Sequence, residues 1–171
     1  MVKLRVRVWV STFDFNFIVN HPCNCLSFAV YSGYPTMPGS SLWLVPPEDS
    51  ELYKTIHNLI LREVPALFSD VSPPQFTPHI TLTADTVSDQ EDPQAWLDGI
   101  TLPYSVKDLQ INIEQLHAGS IFFQSLIVLC EESISLCELA VHCRAAGVQD
   151  TDLQVAKRWA QQSYVPHCSL M

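Results

Sequence analysis

Two five-residue stretches of this chain follow one pattern, Pro78-His79-Ile80-Thr81-Leu82 and Pro166-His167-Cys168-Ser169-Leu170. In each, a proline leads, an apolar residue separates histidine from a hydroxyl-bearing residue, and leucine follows. A lone His-x-Ser/Thr carries little weight. The full pattern is expected on the order of once in a few thousand histidines at average composition, so two copies argue against accident. Each copy follows a helical stretch and a short connection, as two related lobes would place it. On a strand, residues i and i+2 point to one face about 7 Å apart, so each copy presents an imidazole and a hydroxyl together. The fold must therefore seat two equivalent strands, and that requirement restricts it more than any other feature.

The rest of the chain alternates strands and helices. Ser41 to Val45 reads as a short apolar strand ended by Pro46-Pro47. Leu52, Ile56, Leu59 and Ile60 mark one face of a helix expected to stop before Pro65. A proline-rich loop over 71–78 leads into the His79–Thr83 strand. Asp92-Pro93 is suited to open a short helix closing at Gly99. Leu109, Ile111 and Ile113 alternate with polar residues, which predicts a half-buried strand; a turn at Ala118-Gly119 returns it into Ile121–Leu129 as an antiparallel hairpin. Helical spacing runs from Ser133 to Ala146, stopping at Gly147, and again from Leu153 to Gln162 after Asp150-Thr151-Asp152. The class is α+β, with antiparallel strands flanked by helices.

A chain of 171 residues supplies one domain with a real core. Its 47% hydrophobic and 16% charged content is that of a globular protein. No apolar run reaches the ~18 residues of a membrane span. The net charge of −9 argues against long nucleic acid as partner, since that binding draws on many Lys and Arg side chains; a small anion held by a few local donors remains compatible. Charge is divided unevenly, +2 over residues 1–36 and −11 over 37–171, with Met37-Pro38-Gly39-Ser40 as loop punctuation between them. We therefore treat 1–36 as an extension, either adding edge strands or forming an upstream tract ahead of a start at Met37, and 37–171 as the domain. Lys3, Arg5 and Arg7 interleave with Leu4, Val6 and Val8, which is strand alternation rather than a secretory leader. The six cysteines lack disulfide-framework spacing and are expected as reduced thiols inside the cell.

Two imidazoles and two hydroxyls around one cleft suit the hydrolysis of a strained phosphodiester. One neutral histidine accepts the proton of attacking water while a protonated one donates to the leaving oxygen. Thr81 and Ser169 would hold the non-bridging oxygens. No metal or other cofactor is needed, and activity should follow a bell-shaped pH profile.

At this point the chain resembles a known family. The stretch Met37-Pro38-Gly39-Ser40-Ser41-Leu42-Trp43-Leu44-Val45-Pro46, the Thr77–Thr83 strand and Tyr164–Leu170 are similar to the fungal 2',3'-cyclic-nucleotide 3'-phosphodiesterase branch of the two-histidine phosphoesterase superfamily, over roughly residues 37–171. The resemblance implies a bilobal fold, each lobe lending one motif to a central cleft. It implies hydrolysis of ADP-ribose 1'',2''-cyclic phosphate to ADP-ribose 1''-phosphate, and of nucleoside 2',3'-cyclic phosphates to 2'-phosphates. His79, Thr81, His167 and Ser169 match the four catalytic positions. The pattern is symmetric; we assign His167 as base and His79 as acid. The resemblance further implies a monomer acting on small substrates, in the cytoplasm or with Golgi association. Family members continue past the second motif with a further strand-bearing segment, and an aromatic residue commonly follows the position of Met171, so the second lobe is expected to be incomplete here. The alternatives are a catalytically impaired fragment that binds nucleotides or RNA ends, and an RNA-end phosphodiesterase acting on oligonucleotides.

Other residues have plainer readings. His57 is expected on a solvated helix face, His117 in a turn and His142 on a helix face. His21-x-Cys23-x-Cys25, with Cys137, His142 and Cys143, could be assembled into a zinc site, but no Cys-x-x-Cys is present and none is expected. Cys130, Cys137 and Cys143 read as small buried hydrophobes. Trp43, Phe76 and Trp159 read as core. Tyr164, beside the second motif, is the one aromatic placed to stack on a base, and it is left out of the site with the others.

Overall fold

The computed structural model describes residues 8–12, 15–19, 28–31, 40–68, 76–86, 93–102, 109–119 and 125–171. Its strands are β1 (Val8–Thr12), β2 (Phe15–Val19), β3 (Phe28–Tyr31), β4 (Ser40–Leu44), β5 (Ile80–Thr86), β6 (Ile113–Ala118), β7 (Leu126–Cys130) and β8 (His167–Ser169). They form one sheet in the order β2-β1-β3-β4-β5-β8-β7-β6. From β4 to β6 the five neighbours are antiparallel throughout. β3 is antiparallel to β4, while β1 runs parallel to β3 and antiparallel to β2. The α+β class is thus observed, and residues from 1–36 supply the three outer strands.

The helices are α1 (Glu51–Asn58), a π-turn (Leu59–Glu63), α2 (Val64–Leu67), α3 (Pro93–Asp98), α4 (Ile134–Gly147) and α5 (Leu153–Ser163). Three starts are capped by short oxygen-bearing side chains, which satisfy amides that lack an intrahelical partner. Ser50 Oγ accepts from Tyr53 N, Ser133 Oγ from Leu136 N, and Asp152 Oδ1 from the amides of Gln154 and Val155. α4 buries Leu136, Leu139, Ala140, Val141 and Cys143, as a helix central to its layer must. Leu42, Leu44, Ile80, Leu82, Cys168 and Leu170 meet these side chains from one face of the sheet.

The helix after β4 passes the point where Pro65 was expected to end it. The π-turn accounts for this, since Val64 N–H reaches back five residues to Leu59 O and Pro65 then sits in the first turn of α2, where its missing N–H costs no bond. The strand expected from Leu109 begins only at Ile113, because pairing with β7 starts there, opposite Cys130. Leu109 packs into the core ahead of the ladder, and His117 lies in β6 opposite Ile127, not in a turn. Asp92 lies outside the described residues, as does the start of the expected return strand, 121–124; of the expected turn, Ala118 still pairs with Leu126 in the ladder and Gly119 N–H donates to Ser125 O.

β8 is three residues long. It pairs with β5 at a single position, Ile80 with Cys168, and with β7 at three. Beyond the ladder, Cys130 N–H donates to Pro166 O and Leu170 N–H to Leu126 O, so β7 brackets β8 from both ends.

Candidate active site

Register decides what the two repeated stretches do together. Ile80 and Cys168 face each other across β5 and β8, and both point into the helix-side core. Alternation therefore turns their neighbours to the opposite face. Continued antiparallel, the register sets His79 across from Ser169 and Thr81 across from His167. The imidazoles then occupy one diagonal of a four-residue patch and the hydroxyls the other. Diagonal neighbours lie about 7–8 Å apart, close enough for two long side chains to reach one small group. All four residues are half-buried, and the prolines ahead of the motifs, Pro78 and Pro166, are fully buried.

The two imidazoles are anchored alike. Nδ1 of His79 lies 2.7 Å from Thr77 O and Nδ1 of His167 lies 2.8 Å from Val165 O, each two residues back along its own chain. A carbonyl oxygen can only accept, so each Nδ1 carries the hydrogen and donates it. Nε2 is then the atom that takes up or releases a proton on both rings. The Thr81 hydroxyl makes no hydrogen bond among the described residues.

Their surroundings differ. Trp43 pairs with Thr81 across β4 and β5 and shares the site face. Its indole stacks on the His79 ring at 3.8 Å between centroids and 18° between planes, while Phe76 meets the same ring edge-on at 6.1 Å and 76°. Two sides of the His79 ring are covered in this way. Burial pushes it from its ordinary 6.5 down to about 4, with the Thr77 carbonyl opposing and the nearby His167 reinforcing the shift. A charged imidazole over an indole gains about 0.5–2 kcal/mol. The fall to about 4 corresponds to roughly 3 kcal/mol, so desolvation prevails and His79 is neutral near pH 7.

This has a consequence for stability. Above the unfolded value near 6.5 the ring is neutral whether folded or not, and its contribution is complete; as pH falls toward about 4 the unfolded chain takes up the proton first, and stability is lost. Between pH 7 and 4 the unfolding free energy of the wild type should fall by up to roughly 3 kcal/mol more than that of His79→Gln, measured by denaturant titration at each pH. Parallel pH curves for the two proteins would contradict the buried, neutral ring.

The expected positions thus fall on one face of two neighbouring strands. Trp43, assigned to the core from sequence, packs on His79 instead, whereas Phe76 packs against the core as expected and meets the same ring edge-on. For Trp43 the available signal was alternation in β4, which turns it away from buried Leu42 and Leu44; which neighbour it met depended on strand order. Tyr164 is buried against Trp159 at 5.3 Å, away from the site face, and its hydroxyl lacks a partner among the described residues. Thr83 is buried on the helix side, where Arg144 Nη1 donates to its hydroxyl at 3.1 Å. A register shift between the Trp43–Thr81 and Leu42–Thr83 pairs turns it there.

His57 stacks on Tyr53 in α1 and His142 sits on α4, both off the site face. Among the described residues no three His, Cys, Asp or Glu side chains converge as metal ligands, and His21, Cys23 and Cys25 lie outside them. Cys130, Cys137, Cys143 and Cys168 are free thiols. Burial pushes Cys130 up to about 11 and Cys168 up to about 12, so neither is a ready nucleophile.

Paired imidazoles of one tautomer beside paired hydroxyls are suited to acid–base transfer at a tetrahedral anion, the chemistry of phosphoester-cleaving enzymes. The family model of cyclic phosphodiesterase-like proteins matches residues 37–171, and the chain belongs to that family. A 2',3'-cyclic-nucleotide 3'-phosphodiesterase of Phaeosphaeria nodorum is 35% identical over 137 residues, which cover 79% of this chain and 69% of the relative. Proteins of the same name are 32% identical in Neurospora crassa, covering 79% and 71%, and 30% identical in Yarrowia lipolytica, covering 78% and 72%. No helix among the described residues is long and apolar enough to cross a membrane.

Proposed function

We propose that this chain hydrolyses nucleoside 2',3'-cyclic phosphates to 2'-phosphates, and ADP-ribose 1'',2''-cyclic phosphate to ADP-ribose 1''-phosphate, by two-histidine acid–base catalysis without a metal. What carries the reading is the pairing of Ile80 with Cys168, whose antiparallel continuation sets His79, just ahead of β5, diagonal to His167 on β8, with each Nδ1 committed to a backbone carbonyl. Family membership supports the reaction class.

Environment divides the roles. A ring kept neutral by burial has an open Nε2 lone pair to accept a proton and none to supply, so we read His79 as the base and His167 as the acid, the reverse of the assignment made from sequence. Nε2 of His79 takes a proton from water as its oxygen bonds to phosphorus. The bond from phosphorus to the 3' oxygen breaks, and Nε2 of His167 donates to that oxygen. Thr81 and Ser169 donate to the non-bridging oxygens, where negative charge builds. After product release, His79 Nε2 gives its proton to solvent and His167 Nε2 takes one up, which restores both protonation states.

We further read the fold as two lobes about a pseudo-two-fold relation, each contributing one anchored histidine, within a domain spanning 37–171 that acts as a monomer. Four free thiols among the described residues suit a reducing, cytoplasmic setting.

The test is turnover of a nucleoside 2',3'-cyclic phosphate by the purified chain in ¹⁸O-water with a chelator present. The expected product is the 2'-phosphate carrying one ¹⁸O, at an undiminished rate. A 3'-phosphate product, or loss of turnover on chelation, would refute the mechanism. An oligonucleotide with the same cyclic end, cleaved faster than the mononucleotide, would shift the substrate class to RNA ends.

A further inference from the structure

We infer that Trp43 is a positioning residue for His79: lying flat against the imidazole, it fixes the ring's plane and keeps water from one face, so that the uncharged ring is the one presented to the cleft. The inference rests on the functional reading above for its catalytic consequence, though not for its structural one.

Three observations carry it. The stack is nearly parallel, at 18°, and at 3.8 Å is closer than the roughly 4.5–7 Å at which aromatic pairs ordinarily settle. Trp43 is held there by the ladder, since its backbone pairs with Thr81, two residues beyond His79 in the same strand direction. The third contact completes a cage: Phe76 closes a second side edge-on and the Thr77 carbonyl fixes Nδ1, so the ring can neither flip nor tilt without losing one of them.

The groups facing this imidazole are few. β8 contributes His167, whose charge disfavours a second charge on His79; the preceding segment contributes the Thr77 carbonyl and the Phe76 ring; β4 contributes the indole and, lining the same cavity, Leu44. No carboxylate figures among the charges that act on it. Removing the indole therefore admits water without exposing a new counter-ion. The ring's proton affinity should rise toward that of a free histidine.

The experiment follows the His79 ring by NMR through a pH titration of the substrate-free protein, with its signal assigned by its absence in His79→Gln. The wild-type midpoint is expected near 4. Trp43→Ala should raise it by about one unit or more toward 6.5, and Trp43→Phe, which keeps a flat apolar face, should restore most of the shift. Trp43→Leu serves if the alanine variant does not fold. The acid limb of kcat/KM for a cyclic nucleotide should move upward with the midpoint.

A midpoint unmoved by Trp43→Ala or Trp43→Leu in folded protein overturns the inference. So does a rise in KM alone with the titration unchanged, which would make Trp43 a substrate contact. A midpoint that moves in a protein without turnover leaves the inference standing and removes the functional reading instead.

Discussion

His79→Ala is expected to lower kcat for a nucleoside 2',3'-cyclic phosphate by about 10²–10⁴-fold, and His167→Ala by a similar factor, because each removes one of the two proton transfers that the reaction couples. KM should change far less, since the hydroxyls that hold the phosphate remain. The double variant should be little worse than the poorer single one: once either transfer is lost, the other has nothing to act with, and effects of groups that work as a unit do not add. Each imidazole is half-buried at a strand end, so thermal unfolding of the variants separates lost chemistry from lost structure. Full activity in either folded variant would end the two-histidine mechanism. Binding of the cyclic nucleotide by a wild-type chain that does not turn it over would point instead to a nucleotide-binding protein built on the same scaffold.

The second large effect belongs to the hydroxyls. Thr81→Val keeps the side chain's shape and removes its donor, and Ser169→Ala does the same at the partner position. Preorganised donors to a developing oxyanion are worth about 10²–10³-fold in kcat each, whereas a hydroxyl that merely fills space would cost little. Thr81→Ser should restore most of the activity because the donor returns. A loss of less than about tenfold, 1.4 kcal/mol, in Thr81→Val would place phosphate stabilisation elsewhere, with the backbone amides as the next candidates.

Local signals in the sequence were enough for much of this architecture. The caps Ser133 and Asp152, followed by helical spacing, mark the starts of α4 and α5; a short apolar run marks β4, branched residues after a proline-rich loop mark β5, and the hairpin of β6 and β7 follows from two strand patterns across a turn. The departures are places where a partner outvoted the local pattern. Pro65 is a helix stop only when the preceding turn is α, and the π-turn before it removes that condition. The alternation at 109–113 is real, but which part of it becomes β6 is settled by where β7 offers partners.

The same division applies to the candidate site. The motifs themselves stand out in one dimension, as do the residues expected to act. That β5 and β8 are neighbours, with Ile80 opposite Cys168, is a long-range fact no window of sequence contains. Trp43 shows this most plainly: its alternation is legible, but its contact with His79 depends on β4 lying beside β5 in a particular register.

The joint between β5 and β8 has a mechanical meaning. Each ring is tethered to its own strand, two residues back, so its aim travels with that strand and does not rely on the other side. β8 is laced to β7 at three positions but meets β5 at one. The sheet is therefore least stitched along the line the two imidazoles straddle, and any shift there would carry each ring together with the carbonyl that holds it. In the proposed hydrolysis, such a seam would let the gap between the rings follow the phosphorus as it passes from four oxygens to five, each ring keeping its own orientation.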